Sequence, residues 1–348
     1  MLPLTLTAAA LLLAPASRPQ TQPATAPVEL RGAAPFRGWI DYPSSDGLTI
    51  HAYLRKPGGA GPFKLFVYIP GGGKGAPIVA QDSTLESLGR YEPFLKAGYI
   101  VLVPAYRGAA GFGPAYQAAF DYAGREVDDV AEAVLLLTRS GLIDERHVYL
   151  SGVSHGAKIS VIIAERYRLA TAIAPIAGDY DIASAVAGIK VPGYCNALLP
   201  PARVPVMRES ILKQHPGLSD EQMVAEARRR DPLLNVRDIA CPVFLITGGQ
   251  DHVVGHYVAA RMKQELARQH KTFIDKLYRG PGSHHGLPTA DGPAADELWQ
   301  DLLAFCENRP VAGTGTIPLA ALEPDYPHPR RPPQRRCSDR SPAATARD

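Results

Sequence analysis

Residues 150–158 read LSGVSHGAK, which places Ser154 between Gly152 and Gly156 in a G-x-S-x-G pattern. A serine hydroxyl attacks a carbonyl efficiently when a base takes its proton and a carboxylate orients that base. The chain offers both downstream of the serine. Asp251 follows the apolar run VFLITGGQ, and His284 and His285 stand side by side in RGPGSHHGL. One of these histidines serves as the base, and spacing alone leaves the choice open. Loop capping is the ordinary alternative role for Asp251. Asp275 is a weaker acid candidate because it falls inside the strand-like run FIDKLY. The histidine pair makes a poor metal site: adjacent residues point in different directions, and no further His or carboxylate stands at ligand spacing.

Acyl transfer also needs donors for the developing oxyanion. Gly71-Gly72-Gly73 follows the strand-like run LFVYI, and backbone amides there can approach a substrate oxygen because side chains are absent. With the N–H of His155, this loop forms a candidate oxyanion hole. A phosphate loop of the form G-x-x-x-x-G-K-[ST] is excluded because its ending is missing, and Lys74 reads as a solvated loop residue.

A bare G-x-S-x-G arises by chance in roughly one chain in ten of this length, so its flanks decide. HVYL before it reads as a strand, and AKISVIIAERY after it as a helix. A strand–turn–helix setting strains the serine backbone and aims the free amides of the helix start at the oxyanion. Gly152 and Gly156 suit that elbow because the turn leaves no space for side chains two residues either side.

The elements that must hold these residues alternate along the chain. Trp39–Tyr42 and Ile50–Arg55 flank SSDGLT and predict a hairpin. Strands are predicted at Leu65–Ile69, Tyr99–Val103, His147–Leu150, Thr171–Ile176, Val243–Thr247 and Phe273–Tyr278. Helical periodicity runs through Val127, Val130, Ala131, Val134 and Leu137, with Asp128 and Asp129 in the first turn where the helix dipole favours them. Ala157–Tyr167 and Leu298–Phe305 are further helices. An opening hairpin followed by alternating strands and helices predicts an α/β fold with a mostly parallel sheet covered on both faces. Residues 183–230 break the alternation and read as a lid-like insertion.

The 348 residues carry 37 Lys and Arg against 34 Asp and Glu, a net charge of +3. That near-balance gives no electrostatic case for a nucleic-acid partner. MLPLTLTAAALLLAPAS is apolar and ends at Ala14-Pro15-Ala16, so residues 1–16 are expected to be an export signal and the protein periplasmic or secreted. The stretch is too short to span a bilayer comfortably, and no later segment looks transmembrane. Residues 17–30 read as a Pro/Thr/Ala-rich linker, 31–308 as one catalytic domain, and 309–348 as a disordered Pro/Arg-rich tail. Cys195, Cys241, Cys306 and Cys337 form no C-x-x-C pair, which argues against zinc; export would permit one disulfide of unassigned pairing.

From about Leu65 to Leu287 the order of pieces resembles the catalytic domain of the prolyl oligopeptidase family of serine peptidases. VLVPAYRGAAGFG (101–113) is similar to that family's N-Y-R-G-S-x-G-F-G loop, and REVDDVAEAV (125–134) to the helix after it. LIDERHVYLSGVSHGA (142–157) resembles its I-D-x-x-R lead into the elbow, and DPLLNVRDIACPVFLITGGQDHVV (231–254) its S-P-L segment and acid-bearing strand. The resemblance implies an α/β-hydrolase fold and a Ser154–Asp251–His285 triad. It prefers His285 to His284, because the family's histidine is followed by Gly and an apolar residue, as in His285-Gly286-Leu287. His284 then becomes an accessory neighbour.

The departures carry information too. His155-Gly156-Ala157 stands where the family commonly has Tyr-Gly-Gly, which resembles the acylaminoacyl-peptidase branch. Pro70 stands where many members have an oxyanion tyrosine, and Tyr68 lies two residues earlier, so backbone amides are the expected donors. About thirty residues precede the first predicted hairpin, so the expectation is a domain without the family's β-propeller, with 183–230 supplying a lid. The implied activity is cleavage of amide bonds in short peptides through an acyl-enzyme, with no cofactor or metal and no stable membrane insertion. A carboxylesterase or dienelactone-hydrolase-like enzyme acting on small esters is the alternative. A non-catalytic binding module is more remote, since all three triad positions are filled.

Overall fold

The structure is a computed structural model that describes residues 28–186 and 203–314. The expected signal segment, the linker up to residue 27, the tail from 315, Cys195 and Cys337 lie outside the described residues. Eight strands form one sheet: β1 (Phe36–Pro43), β2 (Thr49–Lys56), β3 (Phe63–Ile69), β4 (Tyr99–Ala105), β5 (Ile143–Val153), β6 (Ala172–Ile176), β7 (Val243–Gly248) and β8 (Phe273–Tyr278). Their spatial order is β1-β2-β4-β3-β5-β6-β7-β8. β2 is antiparallel to both β1 and β4, and every pairing from β4 to β8 is parallel. Every residue of β4, β6 and β7 is buried, as strands covered on both faces require.

The helices are α1 (Ile78–Ser87), α2 (Glu92–Lys96), α3 (Pro114–Ala118), α4 (Arg125–Arg139), α5 (His155–Arg166), α6 (Ile182–Val186), α7 (Arg203–Gln214), α8 (Asp220–Arg229), α9 (Pro232–Asn235), α10 (His256–Arg268) and α11 (Pro293–Cys306). α2 and α11 cover one face of β3: the Phe66 ring lies 4.1 Å from Phe94 and 6.2 Å from Trp299 between centroids. α4 buries the predicted stripe of Val127, Val130, Val134 and Leu137. α1, α2, α3 and α10 have no counterpart in the predicted elements; α1 and α2 lack a clean apolar stripe, since α1 buries Ile78, Asp82 and Leu85 and α2 only Phe94.

Residues at both ends of the described chain join the packed body. Val28–Arg31 makes one 3-10 turn with Leu30 fully buried, and Val311 is buried beyond the final helix. The described part of 183–230 is largely helical, containing most of α6 together with α7 and α8. Cys241 and Cys306 are free thiols. No helix among the described residues is long and apolar enough to cross a membrane.

The hairpin is tied to the sheet by a buried charge cluster. Arg107, just beyond β4, reaches Asp129 of α4 at 2.7 Å and Asp46 of the hairpin loop at 2.7 Å, while Ser44 donates to Asp129 at 2.6 Å. Asp129 was placed at the helix start for its dipole; the structure makes it the buried counter-ion of Arg107 instead. Burial pushes its carboxyl up to about 6 and the Arg107 guanidinium opposes that shift. Removing Asp129 leaves Arg107 without its most enclosed partner. Asp129→Ala is expected to lower stability by about 3–5 kcal/mol, and Ser44→Ala by about 1 kcal/mol. Urea unfolding of the two variants checks both the size and the order.

Candidate active site

β5 runs directly into the predicted elbow. Ser154 has φ 56° and ψ −115°, and α5 starts at the next residue. Positive φ is costly for a residue with a Cβ and persists only where its surroundings fix it. Here the Ser154 N–H donates to the Ile176 carbonyl of β6 at 2.9 Å. A Cβ on Gly152 would lie 2.6 Å from the Gly156 carbonyl and 2.8 Å from the Ile69 carbonyl, and one on Gly156 would strike Ile69 outright. Both elbow glycines are therefore demanded by the end of β3, which pairs with β5 through Ile69 and Gly152.

Asp251 and His285 arrive on loops after β7 and β8. Gly249 N–H donates to Tyr278 at 2.7 Å and Gln250 N–H to Ser283 at 2.9 Å, which joins the two loops. Asp251 is buried, and its Oδ2 lies 2.8 Å from His285 Nδ1. Its Oδ1 accepts the N–H groups of Val253 at 2.8 Å and Val254 at 2.9 Å. Burial works against the Asp251 anion, but the His285 ring and these two amides outweigh it and hold the carboxyl below its usual range. His284 is exposed, and its Nδ1 accepts from Gly286 N–H at 3.0 Å. Geometry thus separates two histidines that spacing could not. Asp275 is buried inside β8 and pairs with Lys263 at 2.9 Å, away from both.

Ser154 and His285 line one cavity of about 490 Å³. The loop Gly71–Gly73 lines it too, and a Cβ on Gly71 would sit 3.2 Å from the Ser154 Cβ. Gln81 of α1 donates to the Gly71 carbonyl at 3.0 Å, fixing the loop against the elbow. His155, first in α5, has no intrahelical acceptor for its N–H. Lys74 is exposed at the cavity rim. Tyr68 lines the cavity with its ring against Trp299 at 5.5 Å, and its buried hydroxyl makes no hydrogen bond among the described residues.

The remaining wall was not legible from motifs. Phe120, Tyr122 and Asp179 line it beside His155. The His155 ring lies 5.3 Å from Phe120 and 5.4 Å from Tyr122, and burial lowers its basicity. Lys158, fully buried in α5, pairs with Asp179 at 2.9 Å and sits 4.2 Å over the Tyr122 ring. A lysine within the apolar start of α5 was the available signal.

Residues 87–185, which include the elbow, match the prolyl oligopeptidase family, Peptidase_S9. Over that stretch the chain is similar to the serine peptidases of the prolyl oligopeptidase family. It is 25% identical over 256 residues to the uncharacterized peptidase YtmA of Bacillus subtilis, covering 74% of this chain and 89% of that protein. It is 28% identical over 217 residues to the human acylamino-acid-releasing enzyme, covering 60% of this chain but 27% of that protein. The Pyrococcus horikoshii acylaminoacyl peptidase superposes with a TM-score of 0.61 at 14% identity, over 80% of this chain and 42% of that one. The α/β-hydrolase fold is thereby shared, and the chain spans less than half the length of the last two proteins.

The tightest local constraint at this site is the elbow. Gly156→Ala forces a methyl group into the Ile69 carbonyl, so it is expected to cost at least about 3 kcal/mol. Thermal unfolding measures the loss, and a variant as stable as the parent contradicts the geometry.

Proposed function

We propose that this domain cleaves amide bonds of short peptides by acyl transfer. Ser154 attacks the scissile carbonyl while His285 takes its proton. Asp251 holds the imidazole and stabilises its cationic form. The His155 amide and the Gly71–Gly73 loop receive the oxyanion. His285 then protonates the leaving amine, and water, deprotonated by the same histidine, releases the acyl group. These side chains and water complete the cycle without a cofactor.

One observation carries the reading: the Asp251–His285 pair, 2.8 Å between Oδ2 and Nδ1, lines up behind a cavity shared by His285 and the strained Ser154. The loops that bear them follow the C-terminal ends of parallel strands, where α/β sheets gather their ligand-facing groups. A cavity of about 490 Å³ suits a few residues of peptide better than a folded chain. The name of the human relative, acylamino-acid-releasing enzyme, supports a reading of amides over simple esters.

A fluorophosphonate probe is expected to label the protein and to leave Ser154→Ala unlabelled. Asp251→Asn is expected to lower kcat by about 10³–10⁴ with little change in KM. His284→Ala keeps activity and His285→Ala loses it. Absence of labelling removes the reading, and the opposite outcome for the two histidines reassigns the base. Comparing peptide p-nitroanilides with short-chain p-nitrophenyl esters checks the bond class, and cleavage of esters alone overturns the amide assignment.

A further inference from the structure

The cavity wall formed by Phe120 and Tyr122 stands on an unusual piece of backbone. Tyr122 and Ala123 both have positive φ, 44° and 61°, although each carries a Cβ. Such a pair persists only when neighbouring structure holds it. Gly124, the next residue, cannot be otherwise: a Cβ there would meet the Asp121 carboxylate and lie 2.6 Å from Arg230 Nη1.

What holds this segment comes from the end of the region expected to be a lid. Arg230, which caps α8, is fully buried. Its Nη1 donates to the Asp121 carbonyl, to Asp121 Oδ1 at 2.9 Å and to the Tyr122 carbonyl at 3.2 Å. Its Nε bonds Glu226 of α8 at 2.7 Å, and its Nη2 lies 3.0 Å from His215 Nε2 just past α7. Gln214 of α7 donates to the Ala118 carbonyl at 3.0 Å. From the other side, Tyr122 hydroxyl donates to Asp179 at 3.1 Å. None of the residues lining the cavity comes from the described part of 183–230. Its described helices brace the wall from behind instead.

We propose that Arg230 is a positioning residue that sets which acyl side chain the cavity accepts, by clamping the strained Tyr122–Ala123 segment so that Phe120 and Tyr122 form a fixed aromatic wall beside Ser154. The inference rests on the acyl-transfer reading above. The guanidinium is suited to this task because Nη1 holds the Asp121–Tyr122 stretch while Nε and Nη2 of the same rigid plane bond Glu226 and His215, a span that the single nitrogen of an ammonium cannot cover. Loss of the fork lets the two residues relax toward ordinary φ, and the wall moves while the elbow, held by β3 and β6, stays in place.

The test compares phenylalanyl and alanyl p-nitroanilides in Arg230→Lys, alongside the rate of fluorophosphonate labelling. The expected result is a KM for the phenylalanyl substrate raised by about tenfold, with kcat and the labelling rate within about twofold. Glycine adopts positive φ without strain, so adding Ala123→Gly to Arg230→Lys is expected to restore at least half of the lost preference, while Ala123→Gly alone changes little. An unchanged phenylalanyl-to-alanyl preference, a parallel fall in labelling, or failure of the glycine rescue overturns the proposal. If Arg230→Lys does not fold, Gln214→Ala tests the same brace and is expected to shift the preference in the same direction; no shift overturns it. A native protein that takes no label at Ser154 fails the acyl-transfer reading itself, whereas one that labels and cleaves with a preference insensitive to these changes fails only the clamp.

Discussion

The carbonyl of Ile69 occupies the space that side chains at two elbow positions would need. β3 and β5 pair in parallel up to Ile69 and Gly152, so the end of one strand presses on the turn that ends the other. That contact excludes any Cβ at 152 and 156 and forces the chain to reverse within a few residues into α5. Ser154 is carried into positive φ as a result. The same pairing brings Gly71–Gly73 alongside the serine, because that loop is simply the continuation of β3. One strand neighbour relation therefore places the proposed nucleophile and half of its proposed oxyanion site together.

The other half of the proposed machinery depends on a second parallel pair. β7 and β8 end side by side, and their following loops exchange backbone hydrogen bonds before the Asp251 and His285 side chains meet. Asp251 is ionised at low cost there, because two amides and an imidazole replace the water that burial removes. The sheet thus delivers two preassembled units, each rigid within itself, whose relative placement is set by β6 between them.

Much of this was readable from residue types. Gly152, Ser154 and Gly156 in a strand–helix setting gave the elbow, since only a few sequences satisfy that turn. The buried strands announced themselves as short apolar runs, and α4 by its stripe. The family resemblance, rather than spacing, chose His285; in the structure His285 meets Asp251, while His284 is exposed and bonds its own loop. The helices α1 and α2 escaped because their apolar positions follow no regular stripe. Asp129 was misread because its sequence position suits a helix dipole equally well, and only the distant Arg107 reveals its task. The brace from Arg230 to Asp121 joins residues 109 positions apart, and no local pattern encodes such a contact.

Ser154 donates its own N–H to the Ile176 carbonyl, and this bond restricts where negative charge can be met. The Ser154 amide faces β6, so it is not free to solvate an oxygen poised over the serine side chain. In the proposed mechanism, stabilisation comes from two separate stretches of chain, the first amide of α5 and the loop leaving β3. Their separation is governed by the spacing of neighbouring strands, a distance that backbone hydrogen bonds hold near 4.8 Å. The central sheet is then more than a scaffold for loops: its interstrand spacing acts as the ruler for the electrostatic site.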